Sequence, residues 1–100
     1  MSFNKYGGGA NMQQMMRQAE QMKKQIEETK ARLAETLIES SSGGGMVTVE
    51  MSAAYELLNL KIKPEAIDPD DPEMIEDLVI AAINEAITQV TNLRDQELPL

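Results

Sequence analysis

The stretch Ser40–Glu50, SSSGGGMVTVE, has the residue types of a phosphate cradle: hydroxyls beside consecutive glycines. A phosphate loop needs more than that. A P-loop follows its glycines with lysine, a hydroxyl residue and a helix, and a dinucleotide fingerprint also opens a helix. Here Gly45 is followed by Met46-Val47-Thr48-Val49-Glu50-Met51, an alternating β-branched run that predicts a strand. Gly43, Gly44 and Gly45 are therefore expected to form a structural turn between strands, where positive φ angles are needed.

Other chemistry is limited by what the chain lacks. The 100 residues contain no histidine and no cysteine, which removes the commonest general base, the commonest metal ligand and every thiolate. The carboxylates fall on helix surfaces and in a loop, with no pair required to converge. The expectation is a protein that is not an enzyme and needs no metal or cofactor. Aromatic residues are limited to Phe3, Tyr6 and Tyr55, too few for a base-stacking platform.

The remaining candidates are cations. Lys5, Arg17, Lys23, Lys24, Lys30 and Arg32 all lie in the first 39 residues, among five acidic side chains. Residues 64–100 carry ten acidic residues and one basic, Arg94. The net charge of −8 is thus strongly asymmetric. That is the pattern of a bipolar particle meeting an anionic partner with one end. Phosphate contacts require such cations. The same residues also fit a solvated face of ion pairs, because Glu20, Glu27, Glu28 and Glu35 interleave with them.

These side chains need an element to position them. From Asn11, Met15, Ala19, Met22, Ile26, Thr29 and Leu33 recur at steps of four and three, with Met12 and Leu37 extending the stripe. This predicts a helix with a heptad-like seam over 11–37, about 40 Å long. A compact domain of this size has a radius of gyration of about 13 Å, so the helix should project beyond its own core. Arg17 and Lys24 point away from the seam, while Lys23 and Lys30 flank it. Glu20–Lys24 and Glu28–Arg32 are spaced for ion pairing along the helix. The methionines Met12, Met15, Met16 and Met22 suit either an adaptable partner surface or a dimer seam or core.

A short strand is expected near Thr36–Ser40, then strands at 47–51 and 58–62, with Pro64 ending the sheet. Asp71, Pro72 and Glu73 signal a helix start. The helix that follows, to about Gln96, is apolar over an arc wider than one packing face. Residues 1–10 read as a disordered Gly-rich leader, and 11–100 as a single α+β domain. No apolar segment suits a signal peptide or a membrane span, so a cytoplasmic protein with no membrane partner is expected.

SSSGGGMVTVEM, LKIKP and PEMIEDLVIAAINEA, with the opening GGGANMQQMMRQAEQMKKQIEE, resemble the YbaB/EbfC family of nucleoid-associated proteins. The resemblance covers nearly the whole chain in order, and Glu76–Ala86 is its most distinctive part. It implies an α-β-β-β-α protomer with a long N-terminal helix, a small antiparallel sheet and a C-terminal helix, built into an intertwined homodimer. It also implies a place in the nucleoid and first helices that grip duplex DNA, through phosphate and shape contacts, with a role in nucleoid organisation and gene regulation. Dimer contacts are then expected at Met15, Met22, Ile26 and Leu33 of the first helix, and at Ile83, Ile87 and Val90 of the last. One departure is local. The family often has a glycine-containing turn where this chain has Ser52-Ala53-Ala54. The alternative reading is a dimeric adaptor for a recombination or replication protein, with little DNA affinity of its own.

Overall fold

The computed structural model of the chain describes the backbone of residues 2–98 and the side chains of residues 11–98. Helix α1 (Ser2–Glu35) leads into strands β1 (Leu37–Ser42), β2 (Val47–Ser52) and β3 (Leu57–Ile62). A 3-10 turn at Pro64–Ala66 and helix α2 (Pro72–Glu97) follow. The strands form one antiparallel sheet in the order β1-β2-β3. This is the expected α-β-β-β-α order, an α+β fold.

Helix α1 is rich in Ala, Met, Gln, Glu, Lys and Arg, all strong helix formers. The backbone of the glycine-rich segment 2–10, expected as a disordered leader, is helical as the first turns of α1. Each glycine there lowers intrinsic helix support by about 1 kcal/mol relative to alanine. The other end differs from the expected bound at Leu37. Thr36 folds its hydroxyl back onto the Arg32 carbonyl at 2.8 Å, and its own carbonyl accepts from the Ala53 N–H at 2.9 Å. That second bond draws the chain into the sheet, so Leu37 opens β1 instead of extending the helical seam.

The core lies between one face of the sheet and α2. Val47, Val49 and Met51 point inward from β2 against Ala82, Ala86 and Val90 of α2, and all are buried. Fully burying a valine or methionine side chain contributes about 1.5–3 kcal/mol. Alanines four residues apart let the helix sit close to the sheet. The serines of β1 use that proximity. Ser40 donates to the Ala82 carbonyl at 3.0 Å, and Ser42 donates to the Leu78 carbonyl at 2.6 Å. Two strand residues advance about 6.6 Å and four helix residues about 6 Å, so the two bonds stay in step.

Local signals act where expected at the start of α2. The Asp71 carboxylate accepts from the Met74 N–H at 3.3 Å, Pro72 occupies the first turn, and Glu73 faces the positive end of the helix dipole. The turn between β1 and β2 holds Gly43, Gly44 and Gly45 at φ of 60°, 65° and 91°.

The molecule measures 82 × 21 × 16 Å, with a radius of gyration of 22.7 Å. Helix α1, with 34 residues, supplies about 51 Å of that length. Among the described side chains of this helix, only Leu33 is buried. The arm therefore projects from a small α/β body.

Candidate nucleic-acid interface

Helical geometry arranges the cations in two rows. Arg17 and Lys24 are seven residues apart, as are Lys23 and Lys30, and each row spans two turns. All four side chains are exposed. Arg17 and Lys24 line a shallow groove of about 260 Å³ with Glu20 and Gln21. Lys23 and Lys30 line another of about 370 Å³, with Glu27, Ala19, Met22 and Ile26. The arm thus presents cationic rows beside an apolar stripe, with long side chains able to reach an anionic surface. None of these four cations forms an ion pair among the described residues. The spacing of Glu20 to Lys24 allows a pair, but no bridge within 4.0 Å forms there.

Arg32 is different. Its guanidinium meets the Glu97 carboxylate at 2.9 Å, tying the base of α1 to the last turn of α2. Glu28, spaced to pair with it, does not. The Lys5 side chain lies outside the described residues.

The residues expected at a dimer interface separate into three groups, exposed, half-buried and buried. Met15 and Met22 are exposed, at 65% and 57%, and Ile87 is exposed beside half-buried Ile83. Ile26 is half-buried. Leu33 and Val90, in contrast, are fully buried in the chain's own core. Ile80, which no sequence signal singled out, extends the Ile83–Ile87 stripe and is exposed.

Several structural roles had no mark in the sequence. Tyr55 adopts φ of 65° in the turn after β2, a conformation usually left to glycine. It is held by a 2.6 Å hydrogen bond between its hydroxyl and that of Thr91. The Arg94 guanidinium stacks over its ring, 5.4 Å from the centroid, and donates to the Ala53 carbonyl at 2.9 Å. The Ser52 hydroxyl accepts from the N–H groups of Ala54 and Glu56. Ser52-Ala53-Ala54-Tyr55 does without glycine because side chains from α2 fix the turn. The one available signal was Arg94, the lone cation of the acidic last third.

Residues 8–99 match the YbaB/EbfC DNA-binding family, a span that takes in most of α1, the whole sheet and α2. The chain belongs to the YbaB/EbfC DNA-binding family. A nucleoid-associated protein of Staphylococcus saprophyticus is 58% identical over 91 residues, covering 91% of this chain and 87% of that one. The nucleoid-associated protein YaaK of Bacillus subtilis is 54% identical over 90 residues, covering 90% and 84%. The fold recurs in the crystal structure of an uncharacterized protein from Helicobacter pylori, with a TM-score of 0.76 and 27% identity over 84% of this chain and 88% of that one. Membership of the YbaB/EbfC family makes nucleic acid the anion to weigh against the arm's cations. No helix among the described residues is long and apolar enough to cross a membrane.

Proposed function

We propose that this chain binds duplex DNA as a homodimer, with the exposed cations of α1 meeting phosphates and no catalytic step. The observation that carries this reading is the arm itself: Arg17, Lys23, Lys24 and Lys30 stand exposed on a helix that projects beyond the core, in a member of a DNA-binding family. Phosphate and shape contacts then dominate, because the described side chains of the arm offer lysine and arginine and no aromatic stacking surface. Such binding tolerates many sequences, and nucleoid organisation with effects on gene regulation follows from it. The relatives' names support a nucleoid location.

Dimerisation brings two arms to one duplex. It is supported by the exposed Met15, Met22, Ile80 and Ile87, which a lone protomer leaves in water. The exposed methionines also favour a second reading, a dimeric adaptor that docks a recombination or replication protein on this stripe.

A mobility-shift titration at several salt concentrations separates the two. Replacing Arg17, Lys23, Lys24 and Lys30 with glutamine should weaken binding to unrelated duplexes alike. It should flatten the log–log salt slope by about 0.9 for every phosphate that is no longer neutralised. Glutamine preserves helix propensity, so circular dichroism should be unchanged. A folded variant that binds like the parent would remove α1 from the interface. A parent protein with no shift at low salt would favour the adaptor.

A further inference from the structure

We infer that the Arg32–Glu97 ion pair sets the direction of the α1 arm, and that Arg32 serves DNA binding as a positioning residue, without touching phosphate. The inference rests on the proposed role of α1 as the DNA surface.

Arg32 is the one candidate cation already engaged among the described residues. Its partner lies 65 residues away, at the far end of α2. A phosphate approaching this guanidinium would also meet the Glu97 carboxylate, so the pair offers DNA little net positive charge. What the pair offers instead is a second point of attachment. Leu33 is the single buried side chain among those described on α1, with only Ile26 and Thr29 half-buried further along, so little apolar packing fixes the arm's tilt.

The ion pair closes a ring of contacts around Leu33. Glu97 holds Arg32, Arg94 donates to the Ala53 carbonyl, and the Ala53 N–H donates to the Thr36 carbonyl. The Thr36 hydroxyl then returns to the Arg32 carbonyl. Glu97 also borders a small hollow with Met22, Gln25, Ile26 and Thr29, so it lies against more than one turn of the arm.

The lever is long. Met12 lies about 30 Å along the helix from Arg32, so a tilt of about 10° at the base moves the tip by about 5 Å. The same tilt moves Arg17 by about 4 Å and Lys23 and Lys24 by about 2 Å, so the outer cations lose their register with a phosphate row first. The side chains of the pair are 59% and 37% exposed. Exposed pairs contribute little to stability. Breaking this one should therefore alter binding while leaving the unfolding midpoint in place.

The test compares Arg32→Gln, Glu97→Gln and the charge swap Arg32→Glu with Glu97→Arg. Affinity for a duplex is measured across a salt series. The arm's direction is read by spin labels at Gln14→Cys and Gln96→Cys, in a chain with no native cysteine, diluted with unlabelled chain. The expected result has four parts. Both single variants lose affinity by a similar factor, about two- to fivefold. Their salt slopes match the parent, the label distance distribution shifts or broadens, and the swap restores both readouts. A loss confined to Arg32→Gln, with a flatter slope, would make Arg32 a phosphate contact and overturn the inference. An unchanged label distance in both single variants would overturn it as well. A parent protein that binds no duplex would strike the DNA reading itself, while the label distances would still decide whether the pair directs the arm.

Discussion

Positive φ is where single residues matter most in this chain. Gly43 and Gly44 have nearly the same angle, at 60° and 65°, but different surroundings. A Cβ on Gly43 would sit 2.8 Å from Leu78 Cδ2, whereas one on Gly44 would meet nothing within 4 Å. Left-handed backbone costs a non-glycine residue about 1–2 kcal/mol. Gly44→Ala should cost that alone, and Gly43→Ala should cost more, because Leu78 must also move; urea unfolding of the two variants measures the difference. Equal losses would show that Leu78 yields freely. The glycine turn was legible because only glycine adopts such angles readily, and the run was conspicuous. Tyr55 was not legible. It carries the same backbone strain, and what holds it, Thr91 and Arg94, lies 36 and 39 residues downstream. Tyr55→Phe keeps the ring under Arg94 and removes only the hydroxyl bond, so it should lower stability by about 0.5–1.5 kcal/mol. A larger loss would mean that the hydroxyl anchors the turn more firmly than the stacked guanidinium does.

Whole elements were easier to read than their ends. The period of α1, the alternation of β2 and the Asp71-Pro72-Glu73 start of α2 each follow from side-chain chemistry within a few residues. The Asp71 cap therefore gives a local prediction: Asp71→Ala should destabilise the protein by about 1 kcal/mol, read from thermal unfolding. No change would mean that Pro72 and the dipole suffice. The end of α1 falls two residues before the bound its pattern suggests because a tertiary bond, Ala53 N–H to Thr36 carbonyl, decides it. The serines of β1 were unreadable for a related reason. Ser40 closes the expected strand and Ser42 falls beyond it, and nothing in sequence marks that their hydroxyls rivet β1 to carbonyls of α2. Such bonds depend on how closely two elements pack, which no local pattern records. The candidate interface divides in the same way. Its cations were visible as residue types in a helix, but which cation is committed to an internal partner depended on where α2 ends.

At the scale of the molecule, the difficulty is that so much apolar surface faces water. The arm exposes Met12, Met15, Met16 and Met22, and α2 exposes Ile80 and Ile87. A small body with a long arm has little core to spare, since short chains bury a smaller share of their surface. The proposed association of two copies would remove this cost and couple folding to dimerisation. Light scattering at micromolar concentration should therefore report about twice the 11.1 kDa chain mass. The isoleucines provide the sharper test, because they are exposed and contribute little to the chain's own core. Replacing Ile80 and Ile87 with glutamate should halve the scattering mass if they lie at the interface, while the circular dichroism of the sheet and α2 persists. Loss of one arm should also reduce duplex affinity by about a hundredfold, since two linked arms bind with higher effective concentration than one. If the double variant remains dimeric with unchanged affinity, the copies meet elsewhere. The methionine stripe of α1 would then be the surface to change, and Met15→Gln with Met22→Gln should dissociate the dimer in its place.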